Sequence, residues 1–454
     1  MADHRFTPIL LALPSFTPSL ALELLPHGLT IHRLFVQADG KTHDILIGPE
    51  DPVGHLTQKY TNTVVGRYAN RLPVAPAPLS LARGPHTGTL APLANEAPTV
   101  SLHGGPDGFD ARVWTPLADI GEAQLFSDAE KGTIAAHVPS AVVCVLESPD
   151  GDQGFPGALR VEALVGLVSP AAPPTRGAEK PEWLLGSVLL VYRARLLDAD
   201  KVTPVNLTQH WGFNLDASLQ DGPVSVADHR IAIKASHTLD LTPDALSAGT
   251  LSALEGPHAP LAAQGGTRIG DHPYDNFYLF EPVPPAAMAT TARSIAAQPT
   301  RLAPDEFSPI TDLLAPVLEQ GQGAGAAPET GAEDPQVELE GARSGLRVTF
   351  WSNQPGVQFY TNKFANAEKS ARKRIHGGSG AVGDGYGSGS AAFLEFHAPL
   401  AAWLHPATRP AAVRAAAQGA AAPAGADDDT LLAPGELYHN VVRTDVWFRS
   451  PDGL

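Results

Sequence analysis

Residues Ser187–Leu196 read SVLLVYRARL, and this stretch decides the fold class. Val188, Leu190, Tyr192 and Ala194 fall on one face of an extended chain, and Arg193 and Arg195 on the other. A period of two is the signature of a β-strand. Strand-like segments with turn residues at their ends recur at Leu29–Val36, His43–Ile47, Leu159–Val168, Arg347–Trp351 and Val357–Tyr360. The chain holds 43 glycines and 43 prolines, together nearly a fifth of its 454 residues. Average usage is about 7% Gly and about 5% Pro. Both residues disfavour long helices, one through entropy and one through a missing donor. An all-α fold and a coiled coil are therefore excluded, and a turn-rich all-β fold is expected. A hydrophobic content of 43% supplies a large core and argues against wholesale disorder.

Lys and Arg number 31 against 48 Asp and Glu, a net charge of −17. This balance excludes the basic face of a nucleic-acid binder and an anionic membrane surface as partner. It places no constraint on a neutral ligand. The lone cysteine, Cys144, sits in the apolar run Ala141–Leu146 and reads as a small core residue. The N-terminal apolar run Pro8–Pro14 is too short for a membrane span and lacks a small-residue cleavage site, so a cytoplasmic protein is expected.

Length alone suggests two or three domains. The strand pattern nevertheless resumes after each of four stretches, 169–182, 282–334, 366–391 and 407–429, which are rich in Pro, Ala, Gly or Ser. They read as mobile loop insertions in one domain spanning residues 1–454. The 366–391 stretch contains a formal G-x-G-x-x-G, Gly378–Gly383. A basic run precedes it and more Gly and Ser follow, where a nucleotide site needs a strand and then a helix.

Five segments concentrate polar groups. NTVVGRYANRL places Arg67, Asn70 and Arg71 in an apolar, turn-bounded run, which suits either solvated arginines or partnered ones. SLHGGPDGFDARVW puts His103 before Gly104-Gly105, where backbone can approach another group closely. TPVNLTQHWGFNL sets His210 in a strand-like run with Asn206, Thr208, Gln209 and Asn214, alternating with Val205, Leu207 and Phe213, a strand whose polar face suits solvent or a cleft floor. GDHPYDNFYLF carries Asp275 after a Pro-Tyr turn, with Asp271 a turn residue nearby. AAFLEFHAPL holds Glu395 in an otherwise apolar strand, a place where Glu is depleted unless it points outward.

In this order, VVGRYANR, LHGGPDGFD, SPDGDQGFPG, TPVNLTQHWGFNL, PYDNFYLF, QPGVQFYTN, FLEF and LAPGELYH resemble the aldose 1-epimerase (galactose mutarotase) family, from about Leu22 to the C-terminus. The resemblance implies a β-supersandwich of mainly antiparallel strands with few short helices and an open sugar cleft. By position, His210 matches the general acid toward the ring oxygen and Glu395 the general base at the anomeric hydroxyl. Asn70, Arg71, His103, Asp275 and Gln358 match the residues that hold sugar hydroxyls or orient the ring. Departures are Gln209-His210-Trp211-Gly212 in place of an Asn-His-Ser-Tyr run, and His397 in place of a Gln. The C-terminal carboxylate Glu436 matches a structural strand.

Interconverting anomers requires a proton on the ring oxygen and loss of one from the anomeric hydroxyl, so one acid and one base suffice. No metal or cofactor is required. The expected partner is a small neutral aldose, and a monomer or weak homodimer is expected. Trp211 is a candidate to cover the ring's apolar face. Other readings are a non-catalytic sugar binder, a hexose-6-phosphate epimerase using Arg67 and Arg112, a glycoside hydrolase using Asp275 and Glu395, and a metal enzyme using His103, His210, His272 or His397.

Overall fold

The computed structural model describes residues 3–170, 182–281, 295–319, 335–420 and 428–450. It is built almost wholly of antiparallel strands, with short helices such as Asp128–His137 and Pro410–Ala417. SVLLVYRARL lies in the long strand Glu182–Leu196, at the centre of a ten-stranded sheet between Leu159–Val168 and Leu437–Arg449. Val188, Leu190, Tyr192 and Ala194 all enter the main core, as the alternation requires. The opposite face is not solvated. Helix Asp128–His137 covers it, and Arg193 is fully buried there, 2.7 Å from Glu130.

A seven-stranded sheet packs against the other side of that core. Its strands in chain order are β1 (Thr63–Val65), β2 (Thr208–Phe213), β3 (Ala235–Leu241), β4 (Ser247–Ala253), β5 (Asp275–Phe280), β6 (Gly356–Tyr360) and β7 (Ala392–His397). Their spatial order is β4-β3-β5-β6-β7-β2-β1. Trp211, Phe213, Tyr278, Phe280, Val357, Phe359, Leu394 and Phe396 point into the shared core. Strand geometry then sends their sequence neighbours His210, Gln358 and Glu395 to the opposite, concave face. A four-stranded sheet of residues 9–44 flanks the sandwich. Cys144 is buried in the core, where desolvation pushes its thiol up to about 12.

Of the expected insertions, 171–181, 282–294, 320–334 and 421–427 lie outside the described residues. The 366–391 stretch is exposed over much of its length but anchored in the interior at its middle. Lys373 is fully buried and donates to Asp44 Oδ2, His32 O and Leu46 O at 2.7–2.8 Å. His376 and Tyr386 are buried beside it, bonded to each other at 2.8 Å. Of the basic run, Lys373 is thus in an internal ion pair, while Lys369 and Arg374 stay exposed. Gly378–Gly383 follows a 3-10 turn and no strand.

Candidate active site

The register of the seven-stranded sheet assembles the site. Gln358 pairs directly with Glu395 across β6 and β7. Extending the β2–β7 register, Trp211 with Leu394, by one residue sets His210 opposite Glu395. Gln358, Glu395 and His210 therefore form one outward-facing row across three adjacent strands. Asp275 on β5 is the diagonal neighbour of this row, and Gln358 Nε2 donates to its Oδ1 at 2.7 Å. His210 Nε2 lies 3.3 Å from Glu395 Oε1.

A second unit brings the remaining groups. Strand Arg71–Pro73 pairs with Val100–Leu102, and both segments turn into the left-handed region at the site, Asn70 at φ 62° and His103 at φ 51°. Asn and His tolerate that region better than most residues. The turns lock each other: the His103 amide donates to Asn70 O at 2.9 Å, and the Asn70 amide donates to His103 Nδ1 at 3.2 Å. His103 is thereby left with its proton on Nε2. Gly104, at φ 88°, presses against the Gly66 carbonyl, which a Cβ would approach to 2.0 Å. The close approach expected at the glycine pair is to the chain's own backbone.

Asn70, Arg71, His103, His210, Asp275, Gln358 and Glu395 all line one cavity of about 250 Å³. Trp211 does not. It is in the core, edge-on to Phe213 and Phe350, because it neighbours His210 on a strand and must face the other way. The aromatic walls are Tyr60, Tyr360, Phe364 and Phe393 instead. Phe393 and Tyr360 were legible as the outward residues two positions from Glu395 and Gln358. Tyr60, Lys59 and Glu96 reach the cavity from loops and carry no periodic signal.

The residues invoked for other chemistries lie elsewhere. Arg67 is buried on the carbonyls of Pro156 and Gly157. Arg112 pairs with Asp152, and Glu436 with Arg83. His103, His210 and Glu395 could each offer one ligand atom to a cation, all within 4.8 Å of one another. The Asn70 amide opposes such a role, since His103 already spends one ring lone pair there and presents N–H with the other nitrogen. His272 and His397 are not part of this group. His397 is buried under Phe277, its Nδ1 on Ala398 O.

Burial dominates the electrostatics. Desolvation, with the nearby Asp275 carboxylate, raises the Glu395 carboxyl well above its ordinary range, and Arg71 pulls it back. Desolvation lowers His210 to about 4. His103 is held well below its ordinary value by burial and by His210 and Arg71. His210 and Glu395 thus titrate apart and carry one proton between them, resident on Glu395, over a broad range. Glu395 Oε2 has no hydrogen-bond partner among the described residues although it is buried, a place for an incoming hydroxyl.

This architecture is the galactose mutarotase-like β-supersandwich. It superposes on the crystal structure of an aldose epimerase homologue from C. elegans with a TM-score of 0.60, 17% identity and 98% of both chains covered. For galactose 1-epimerase from Lactobacillus acidophilus the TM-score is 0.56, with 14% identity over 97% of this chain and 98% of that one. No family model matches the chain. Galactose mutarotase of Mus musculus is 30% identical over 272 residues, 58% of this chain and 65% of that one. Aldose 1-epimerase of Escherichia coli is 28% identical over 334 residues, 73% of this chain and 72% of that one. The chain spans less than two thirds of the mammalian mutarotases' length, 65% of the mouse protein and 56% of the bovine one. These curated relatives, 28–31% identical, place the chain beside the aldose 1-epimerase (galactose mutarotase) family, and the solved structures show the shared fold.

Proposed function

We propose that this protein is an aldose 1-epimerase that interconverts the α and β anomers of a neutral aldohexose such as glucose or galactose. The observation that carries the reading is the 3.3 Å separation of His210 Nε2 and Glu395 Oε1 at the floor of a polar cavity. The ring oxygen and the anomeric hydroxyl are both bonded to C1, so an acid and a base this close can serve both at once. In the tautomer of the pair that has its shared proton on His210, His210 protonates the ring oxygen while Glu395 takes the anomeric proton, and the C1–ring-oxygen bond breaks to give the open-chain aldehyde. Rotation about the bond to C1 turns the other carbonyl face to the attacking hydroxyl, and closure runs the transfers in reverse. The proton count is conserved over the cycle.

Asp275, Gln358, Arg71, Asn70 and the His103 Nε2–H offer acceptors and donors in fixed directions, as a polyhydroxylated ligand requires. The cavity suits one hexose ring, and the arginines first considered for phosphate are engaged elsewhere, which favours a neutral sugar. Polarimetry of freshly dissolved α-D-glucose and α-D-galactose tests the reading. Glu395→Gln and His210→Ala are each expected to lower the rate by about 10²–10⁴-fold. Wild-type rates in both variants would refute the role assignment, and a folded wild type inert on every aldose would remove the enzyme reading.

A further inference from the structure

Two charged groups flank the His210–Glu395 pair, and each has a counter-ion supplied by a loop. Glu96 grips the Arg71 guanidinium side-on, Arg71 Nε donating to Oε2 at 2.6 Å and Nη2 to Oε1 at 2.7 Å. This fork-to-fork geometry fixes the plane of the guanidinium as well as its position. Arg71 is the more buried partner. The loop that carries Glu96 is itself fastened: Asn95 Nδ2 donates to Leu102 O and to the Tyr60 hydroxyl, and Asn95 Oδ1 accepts from the Leu102 amide at 2.6 Å. On the other side, Lys363 Nζ lies 3.2 Å from Asp275 Oδ2, while Gln358 holds Oδ1. Both carboxylate oxygens of Asp275 are thereby held. Lys363 also sits over the Phe364 ring at 4.9 Å, which limits its freedom to leave.

We propose that Glu96 and Lys363 are positioning residues that orient Arg71 and Asp275 and balance their charges on the two sides of the His210–Glu395 pair. The inference rests on the epimerase reading above. Neither residue need touch the reacting atoms. An unbalanced Arg71 would hold Glu395 as a carboxylate too weakly basic to take the anomeric proton. An unbalanced Asp275 would hold the shared proton still more firmly on Glu395 and away from His210.

The field at Glu395 has few other sources. His210 faces it from β2, Asp275 from β5, Tyr360 from β6, and Arg71 and His103 from the paired turns. Lys59 and Tyr60 enter from the loop before β1, Lys59 committed to Pro106 O and Asp110. His397 follows two residues on along β7 and is held low by burial. None of these changes in the variants below, so opposite charge removals must move the pair oppositely.

The test is the pH dependence of kcat/KM for wild type, Glu96→Gln and Lys363→Met, with melting temperatures as a fold control. Removing Glu96's charge leaves more positive potential, so both limbs of the profile should move to lower pH. Removing Lys363's charge should move both to higher pH. Each shift is expected to be roughly half a unit, the scale of a partly exposed ion pair. Lys363→Arg should restore the wild-type profile. Limbs that stay put, or that move the same way in both variants, would overturn the inference even if rates fall. A wild type with no activity on any aldose would overturn the epimerase reading itself, a result separable from an active wild type whose limbs do not respond.

Discussion

Gln358 stands directly opposite Glu395 across β6 and β7 and spans the gap to Asp275 on β5. The carboxyl groups of Glu395 and Asp275 are therefore separated by a strand whose amide side chain is bound to only one of them. Glu395 Oε2 has no hydrogen-bond partner among the described residues, whereas Asp275 is tied down. In the proposed mechanism Glu395 exchanges the proton and Asp275 holds a hydroxyl, with measurable consequences.

The first concerns pH. His210 titrates at about 4 and Glu395 well above the ordinary carboxylate range. Below pH 4 both groups are protonated and no base remains. Above the raised Glu395 value the pair has lost its shared proton and no acid remains. The profile of kcat/KM should be bell-shaped, with an acid limb near 4 and an alkaline limb above the usual carboxylate range. An alkaline limb at an ordinary glutamate value would contradict the desolvated Glu395 described here.

The second concerns Gln358. Gln358→Ala removes the donor to Asp275 Oδ1 and frees that carboxylate to rotate. A charge-assisted hydrogen bond is worth about 1.5–3 kcal/mol, so KM should rise by about tenfold or more with a smaller change in kcat. Steady-state kinetics on one aldose reads this directly, and an unchanged KM would mean Asp275 is held by Lys363 alone.

The third concerns Gly212, which ends the row formed by Asp275, Tyr360 and Phe393 on neighbouring strands. A Cβ at Gly212 would sit 2.5 Å from the Phe393 ring, whose centroid is 4.8 Å from that of His210. Gly212→Ala should therefore push the ring toward the acid. Overpacking of this kind costs about 1–3 kcal/mol of stability, and the rate should fall with it. Urea melts and polarimetry on the same preparation separate the two effects.

The fourth concerns the anchor of the 366–391 segment. Lys373→Ala leaves Asp44 buried without its ammonium partner, and Asp44→Ala does the converse. Breaking a buried pair from one side costs about 3–5 kcal/mol. Either variant should unfold at markedly lower urea, whereas Lys369→Ala, at an exposed position on the same segment, should not. Equal midpoints for all three would show that the segment contributes little to stability.

How much of this was legible beforehand can be judged residue by residue. Leu159–Val168 begins and ends in the structure where its alternation and turns place it. Glu395 could be recognised as an outward carboxyl in an apolar strand, and His210 as the polar member of its strand, because a period of two is a local property of the backbone. The same rule, applied strictly, would have removed Trp211 from the cavity, since adjacent residues in a strand cannot share a face. Arg67 and Arg71 illustrate the opposite case. They are equivalent in the sequence, yet one ends in the interior on main-chain carbonyls and the other in the cavity with Glu96.

By itself, then, the sequence determined the strand periodicity, the outward direction of the polar row and the order of motifs that marks the family. Only the tertiary structure decided that the outward face is a cavity floor, because that depends on loops such as Lys59–Thr61 and Asn362–Ala365 closing over it from distant parts of the chain. It also decided that Lys373 is interior and that Arg71 and Asp275 each carry a counter-ion. The reason is physical. Alternation follows from covalent geometry within a few residues, whereas burial and charge pairing depend on which distant groups arrive at the same point in space.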